Sequence, residues 1–232
     1  MFTVNKGNLR LSAQFPPLGD DDQLEATLEF KDEGAWKPIE TTAIDTPAYL
    51  AVFDVPKIDN DKAISYRINY NGSFYDGVIP SEPKENLTMG ALTCQEWTGY
   101  PYSPLVEQLY QLDPDMLYFS GDQLYEYNGG YPIRRQDEEL SILSYLGKWY
   151  MFGWTFGDLM RNRPTVCTPD DHDVFQGNLW GDGGKRLSFE EWKTKGDAWC
   201  GYVQTPKMVN SVYKIQTSHH PLPYNPTLIQ HH

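Results

Sequence analysis

Apolar and polar residues alternate along the first 80 or so residues of the chain. Four segments place an apolar residue at every second position, which is typical of strands with one buried face. These segments are Leu9–Phe15, Leu24–Phe30, Ala51–Val55 and Ile64–Tyr70. Turn-forming clusters separate them, and Asn71-Gly72-Ser73 has the composition of a hairpin loop. The pattern predicts five to seven short antiparallel strands.

Strands at this spacing indicate a small β-sandwich of the immunoglobulin or fibronectin type III kind. The strand pattern breaks at residues 79–86, where two prolines and several charged residues follow one another. We therefore predict a sandwich domain over residues 1–85 and a second domain over residues 86–232. The first domain has no cluster of titratable side chains that would carry chemistry, so we expect it to serve in packing or recognition.

The second part of the chain alternates strand and helix patterns. A short apolar run over residues 87–93 is followed by helical spacing over residues 103–111 and a second apolar run, Met116–Phe119. This order predicts a parallel βαβ unit. Residues 138–162 lack proline and are rich in aromatic residues, which predicts one long helix or two consecutive ones packed on the sheet. Thr165–Thr168 gives a third strand. The chain is thus predicted to be an α+β multidomain protein.

Charge and composition restrict the classes of function. The chain has 232 residues, 40% of them hydrophobic, and a formal net charge of −13. An acidic surface argues against binding of nucleic acid, which depends on clustered Lys and Arg. No apolar run approaches the roughly 20 residues of a membrane span, and the first residues lack the order of a signal peptide. Three cysteines, Cys94, Cys167 and Cys200, are too few for a disulfide framework.

Side chains able to bind metal follow three of the predicted strands directly. Cys94 follows the first, Asp122 the second, and the turn Asp170-Asp171-His172-Asp173 the third. The carboxyl ends of parallel strands lie at one edge of a sheet, so we expect these side chains to converge. Carboxylates and a thiolate from several strands can hold a metal ion, and Tyr125 could reach the same point if its turn is tight.

Less specific interpretations exist for each of these motifs. Gly121-Asp122 is also a common turn, and the acidic turn could be a solvated loop or a helix cap. Three carboxylates around His172 make the solvated loop less favourable, because each charge raises the energy of packing the others unless a cation is present. For Cys94 the alternative is a small buried apolar residue.

Six segments carry more extended motifs. They are Leu92-Thr93-Cys94-Gln95, Phe119 to Glu126, Lys148-Trp149-Tyr150, Arg163 to Val166, Pro169 to Val174 and Gln176 to Gly181. Together they resemble the alkaline phosphatase D type of metallophosphoesterase. The resemblance covers the chain almost end to end, and it includes a sandwich-like domain ahead of the catalytic one.

This resemblance implies a mixed metal centre, typically iron with calcium. By position, Cys94 would be a thiolate ligand, Asp122 the carboxylate that bridges two metal ions, and Tyr125 a phenolate ligand. Related enzymes carry an Asn-His pair after a strand, and here Asp171 stands where that Asn would be, with His172 beside it as the catalytic residue. Asn178 is a further candidate to replace the amide and contact substrate.

The resemblance also implies the reaction. A small phosphomonoester or phosphodiester would be hydrolysed by attack of a metal-bound hydroxide on phosphorus, and His172 would protonate the leaving oxygen. Family members are longer and usually exported, whereas this chain shows no leader and stops where further ligands would follow. We therefore expect a truncated product, poorly active alone, whose partner would be the remaining C-terminal part of the catalytic domain.

Two other functions are compatible with the sequence. The chain could be a binding protein that keeps the fold without catalysis. Alternatively, Cys94 could be the nucleophile of a cysteine hydrolase, for which His172 is the main candidate base. Bound metal would favour the phosphoesterase over both.

Overall fold

The chain folds as a mixed α+β protein with one large antiparallel sheet and one small parallel sheet. The computed structural model describes residues 1–83, 85–135, 137–175, 187–196, 202 and 204–222. The antiparallel sheet occupies the first part of the chain, and the parallel sheet with its helices occupies the second. The predicted α+β fold class is therefore confirmed.

Seven strands form the antiparallel sheet, in the spatial order β1-β2-β5-β4-β3-β6-β7. Their bounds are β1 Phe2–Asn5, β2 Asn8–Gln14, β3 Glu25–Asp32, β4 Ala35–Asp45, β5 Leu50–Val55, β6 Ile64–Tyr70 and β7 Ser73–Ile79. Strand β4 pairs with β3 along most of its length and with β5 only at Ile44 and Asp45. The sheet curls around one apolar core, to which β2 contributes Leu9 and Leu11 and β3 contributes Leu28.

The four segments with period-two alternation coincide with β2, β3, β5 and β6, which confirms those predictions. Asn71 and Gly72 join β6 to β7 with backbone φ angles of 48° and 83°. Positive φ at both central positions is the geometry of a tight hairpin turn, which Asn-Gly adopts at low cost. Strands β1, β4 and β7 were not individually predicted from the alternation.

The parallel sheet contains three strands in the order β10-β9-β8. Strand β8 spans Met89–Leu92, β9 spans Met116–Phe119 and β10 spans Thr165–Cys167. Helix α1, Ser103–Leu112, connects β8 to β9. Both pairs are parallel, so the predicted βαβ unit and the third strand are confirmed.

Helix α2, Glu138–Met160, packs on this sheet and supplies much of the second core. The side chain of Asp137 accepts a hydrogen bond from the amide of Leu140 and caps its first turn. Phe152 and Phe156 lie against Phe119 of β9 with ring centroids 4.9 and 5.2 Å away. The prediction of an aromatic helix packed on a sheet is confirmed.

Two further helices complete the described part of the chain. They are α3, Phe189–Lys195, and α4, Pro206–Thr217. Helix α4 buries Met208, Val212 and Ile215 in the same core as α2. No helix among the described residues has the length and apolar character needed to cross a membrane.

The curled antiparallel sheet packs directly against the second part of the chain. The hydroxyl of Tyr66 in β6 donates to the carbonyl of Arg161 at 2.9 Å, and that of Tyr150 in α2 donates to the carbonyl of Phe15 at 2.5 Å. Leu50 of β5 belongs to the core built around α2. These contacts join the antiparallel sheet and the loop after β2 to helix α2 and to Arg161 at its end, across the predicted boundary.

Two histidine side chains bond the side of β10 that faces away from β9. The Nε2–H group of His219 donates to the carbonyl of Thr165 at 2.9 Å, and the amide of Cys167 donates to Nε2 of His220 at 3.3 Å. Burial lowers the pKa of both imidazoles, that of His220 to about 4. Both rings are therefore neutral in the folded protein at pH 7.

Candidate metal centre

The loops after β8 and β9 are joined by backbone hydrogen bonds. The amide of Cys94 donates to the carbonyl of Gly121 at 3.2 Å, and the amide of Gln95 donates to the carbonyl of Asp122 at 2.9 Å. Cys94 and Asp122 both have positive φ angles, 56° and 54°. Non-glycine residues rarely adopt this conformation, and such strain is concentrated at functional sites.

Gly121 allows the turn after β9 to approach the turn after β10. Its φ angle is 113°, and a Cβ atom at this position would lie 2.7 Å from Cβ of Asp170. Any larger residue would push the two turns apart. Glycine at position 121 therefore allows the turn after β9 and the turn after β10 to lie this close together.

The carboxylate of Asp122 lies where the three strand ends meet. Its Oδ2 accepts a hydrogen bond from the hydroxyl of Tyr125 at 2.9 Å and lies 3.6 Å from Sγ of Cys94. Its Oδ1 is buried and has no hydrogen-bond partner among the described residues. A buried carboxylate oxygen without a partner is unfavourable unless a cation or water satisfies it.

Asp171 and His172 face the same point from the end of β10. One ligand atom each from Asp122, Asp171 and His172 lies within 4.8 Å of the other two. Two carboxylates and an imidazole at this separation are able to share one metal ion. Cys94 and Tyr125 adjoin this group through Oδ2 of Asp122.

His172 is oriented by a carboxylate that the sequence did not single out. Its Nδ1 lies 2.9 Å from Oε2 of Glu126, and its ring lies 4.3 Å from the ring of Tyr125. Burial acts to lower the pKa of His172, but Glu126, Asp122 and Asp171 together raise it to about 9. With Nδ1–H donating to Glu126, Nε2 is the ring nitrogen left for other partners.

Negative groups crowd the site and destabilise one another. Burial and the neighbouring charge of Asp122 raise the pKa of Asp171. Burial, together with hydrogen bonds to Cys94 and Asp122, raises the pKa of the Tyr125 phenol. A cation would reverse these effects by stabilising the ionised forms of all these groups.

Asp173 ties the turn after β9 to the turn after β10. Its fully buried carboxylate accepts hydrogen bonds from the amides of Asp122, Leu124 and Asp170 and from Nε2 of Gln216. Burial raises the pKa of Asp173 to about 7, although the hydrogen bonds from these donors act to lower it. Asp173 therefore positions the metal-facing residues and is already saturated with partners of its own.

Lys148 of α2 holds the loop that follows Tyr125. Its buried ammonium group donates to the carbonyls of Asn128 and Tyr131, the latter at 2.7 Å, and lies 3.7 Å from the centroid of the Tyr131 ring. Burial lowers the pKa of Lys148 to about 8. The side-chain oxygen of Asn128 accepts from the amide of Tyr125 at 3.3 Å, so the loop is fixed close to the site.

The structure brings together all the residues expected at the site that it describes. They are Cys94, Asp122, Tyr125, Asp171 and His172. Asn178, the candidate for substrate contact, lies outside the described residues. Of the residues that were missed, Glu126 directly follows Tyr125 in a quoted motif, but nothing in that motif indicates which histidine it would pair with.

The donor set suits metal ions of two kinds. A thiolate and a phenolate are ligands for transition metals, whereas carboxylate oxygens also suit hard divalent cations. The buried and unpartnered Oδ1 of Asp122 is an independent sign that a cation fits here. The described residues are therefore compatible with a metal centre built on Asp122.

Comparisons with known proteins support the fold. No protein-family model matches the chain, and no curated protein matches it. A solved structure described as "Structure of PhoD" matches with a TM-score of 0.65 and 16% sequence identity. The match covers 99% of this chain and 47% of that one, so the chain spans about half the length of PhoD. At this identity the likeness establishes a PhoD-like fold.

Proposed function

We propose that this chain is a metal-dependent phosphoester hydrolase of the alkaline phosphatase D type. The PhoD-like fold supports the proposal. The observation that carries it is the carboxylate of Asp122, with one oxygen beside Cys94 and Tyr125 and the other buried without a partner among the residues that the structure describes. A bound cation would bring Cys94 and Tyr125 together with Oδ2 of Asp122, and it would satisfy the buried Oδ1.

Cys94, Asp122, Tyr125 and Asp171 are the proposed metal ligands. Cys94 and Tyr125 would favour iron, and Asp122 and Asp171 would favour calcium, with Asp122 shared between the two ions. Bound metals would supply positive charge that stabilises a phosphate group and its developing negative charge.

His172 is the proposed catalytic residue. Glu126 accepts from its Nδ1 and holds the imidazole in one orientation. Burial acts to lower the pKa of His172, but the hydrogen bond and the charge of Glu126, which is not a proposed ligand, raise it and favour the protonated ring. His172 would therefore donate a proton to the leaving oxygen as the phosphoester bond breaks. Asn178 is proposed to contact the substrate.

The substrate class proposed is a small phosphomonoester or phosphodiester. The formal charge of −13 disfavours a long polyanion such as a nucleic acid, which needs an extended basic surface. A small phosphoester needs positive charge only at its phosphate, and metal ions at Asp122 would provide that charge locally.

Metal loading tests the proposal directly. The chain is incubated with iron and calcium, and bound metal is measured by inductively coupled plasma mass spectrometry together with the visible absorption of an iron–phenolate pair. We expect Asp122→Asn to lose metal and Tyr125→Phe to lose the visible band. The matched control is Tyr127→Phe, because Tyr127 is exposed and lies two residues away. Unchanged metal content in Asp122→Asn would overturn the proposal.

Hydrolysis assays separate the enzyme from a binding protein. The second candidate is a binding protein that keeps the fold without catalysis. Metal-dependent release of p-nitrophenol from p-nitrophenyl phosphate, abolished in His172→Ala with metal retained, would support the enzyme. Metal binding with equal background hydrolysis in wild type and His172→Ala would support the binding protein.

Two observations weigh against a cysteine hydrolase. Sγ of Cys94 lies beside the carboxylate of Asp122, where a thiolate without a cation would be repelled. Among the described residues, no hydrogen bond joins Sγ of Cys94 to the candidate base His172, whose Nδ1 pairs with Glu126. Loss of activity on chelation, with the thiol intact, is the result expected for the metal-dependent reaction.

A further inference from the structure

A cavity of about 390 Å³ lies between the antiparallel sheet and helix α2. Its walls come mainly from β2, β6, β7 and α2, whereas the candidate metal centre lies at the carboxyl ends of the parallel strands. Cavities of roughly 300–1,000 Å³ with mostly apolar walls and a few polar groups are typical of small-molecule sites. The inference drawn from it does not depend on the proposed phosphoesterase function.

Two glycines on one face of α2 leave the cavity open. A Cβ atom at Gly153 would meet nothing within 4 Å, and one at Gly157 would meet only the Tyr75 hydroxyl, at 3.5 Å. Glycine is unfavourable inside a helix by roughly 1 kcal/mol relative to alanine. The backbone at Gly153 does not have a positive φ angle that would require glycine. The effect of Gly153 is therefore to leave space beside the helix.

Exposed aromatic side chains border the cavity. Trp154 is 85% exposed, and Phe74 and Tyr75 are about half exposed at 51% and 50%. All three line the same cavity. Single exposed apolar residues are common, but several aromatic residues around one concave site indicate a surface that contacts an apolar ligand.

The walls also offer one acceptor and one donor without partners among the described residues. Oε1 of Gln14 and Nε of Arg161 are buried and unsatisfied, and both side chains line the cavity. The amide nitrogen of Gln14 is already used, since it donates to the carbonyl of Ala48 at 2.8 Å. A ligand that donates one hydrogen bond would satisfy Oε1 of Gln14.

Charge complementarity restricts the ligand further. The guanidinium of Arg161 is already paired with the carboxylate of Asp158 at 3.0 Å and donates to the carbonyl of Asp76. The other basic group in the walls, the α-amino group of Met1, is buried and donates to the carbonyl of Ser12 at 2.9 Å, and burial lowers its pKa to about 6. The described walls thus offer no unpaired cation at pH 7 to hold an anion, and the chain as a whole is strongly acidic. An uncharged ligand fits this environment better than a carboxylate or a phosphate.

We propose that this cavity binds an uncharged small molecule with an aromatic or alicyclic body and a single hydroxyl or amide group. The apolar body would contact Trp154 and the walls that Gly153 leaves open. The polar group would donate to Oε1 of Gln14.

Calorimetric titration with three naphthalenes tests the chemistry of the ligand. The probes are 1-naphthol, 1-methoxynaphthalene, which cannot donate a hydrogen bond, and the anion naphthalene-1-sulfonate. We expect 1-naphthol to bind most tightly, with the other two weaker by about tenfold, the effect of one hydrogen bond or one uncompensated charge. Equal or tighter binding of the sulfonate, or no binding of 1-naphthol, would overturn the proposal.

Filling the cavity tests its location. Gly153→Leu places a side chain into the open space and raises helix propensity, so we expect the fold to be retained and 1-naphthol binding to fall by at least about tenfold. The control is Glu139→Leu, which adds the same side chain at an exposed position in the first turn of α2. Unchanged affinity in Gly153→Leu, with an unfolding temperature equal to that of wild type, would show that the probe binds elsewhere.

Discussion

The carboxylate of Asp173 accepts a hydrogen bond from the backbone amide of Asp122 at 2.8 Å. This bond links the end of β10 to the end of β9. The carboxylates of the two residues differ in their hydrogen bonding. Asp173 is fully buried with donors on both of its oxygens, whereas Asp122 keeps one oxygen unpartnered among the described residues. Asp173, whose two carboxylate oxygens both accept hydrogen bonds, therefore fixes the position of Asp122, whose Oδ1 is left for another partner.

Asp173→Asn tests this link. The amide NH₂ of asparagine would face N–H donors where the carboxylate accepted from them, so we expect the free energy of unfolding to fall by about 2 kcal/mol. Metal affinity should fall as well, because Asp122 loses its anchor. Urea unfolding measures the first effect and metal titration the second. Asp21→Asn, an exposed substitution in the sandwich loop, is the control, and an equal effect of both changes would contradict the prediction.

Gly121→Ala and Gly153→Ala should change stability in opposite directions. At Gly121 the new Cβ would lie 2.7 Å from Cβ of Asp170 at a φ of 113°, so we expect a loss of about 2 kcal/mol or more. At Gly153 the new Cβ meets nothing within 4 Å inside α2, and we expect a gain of about 0.5–1 kcal/mol. Thermal unfolding of the two variants gives the comparison, which fails if both shift the same way.

Lys148→Met should loosen the loop that carries Tyr125. Methionine fills similar space but leaves the carbonyls of Asn128 and Tyr131 without their donor, so we expect a loss of about 2 kcal/mol. Hydrogen exchange should show faster opening of residues 125–131. Lys62→Met, at an exposed position, should change stability by less than about 0.5 kcal/mol. Protection of the loop equal to wild type in Lys148→Met would count against this role.

The buried histidine pair should make stability depend on pH. The pKa of His220 is lowered to about 4 in the folded protein from an ordinary value of 6.5. Between these values the unfolded chain takes up a proton that the folded protein does not, so the free energy of unfolding falls as the pH falls from about 6.5 to about 4. One such group contributes at most about 1.4 kcal/mol per pH unit, and less because His220 is partly exposed.

His220→Gln isolates this contribution. Glutamine keeps an acceptor for the amide of Cys167 but does not titrate. We expect the variant to lose less stability than wild type between pH 7 and pH 5, measured by urea unfolding at each pH. The difference between the two proteins is the informative quantity, since Asp173 also titrates in this range in both. Parallel curves for wild type and variant would argue against a neutral His220.

Regular periodicity made part of the fold predictable. The four alternating strands and α2 were found because one face of each is buried in a regular pattern. Strand β4 was missed because nearly all of it is exposed or only partly buried, and Pro38 lies near a shift in its register with β3. Helix α4 left a signal that was not used, since Thr205 caps it and Pro206 occupies its first turn.

The site was predictable to the extent that strand ends determine it. Cys94 and Asp122 follow parallel strands directly, so their proximity follows from topology. Glu126 and Asp173 depend on partners that are distant in sequence, 46 residues away for Glu126 and His172, and no local pattern specifies such pairs. The ligand roles of Cys94 and Asp122 and the positioning roles of Glu126 and Asp173 stay predictions for the experiments above.

The two histidines on β10 also determine how the parallel sheet can grow. His219 and His220 occupy the carbonyl of Thr165 and the amide of Cys167, backbone groups that a neighbouring strand would otherwise use. Imidazole rings thus terminate the sheet on that side in place of a strand. The opposite edge strand is β8, whose amides and carbonyls at Met89 and Ala91 point away from β9. Any strand added from another polypeptide would extend the sheet from β8, on the side of the strand that leads into Cys94.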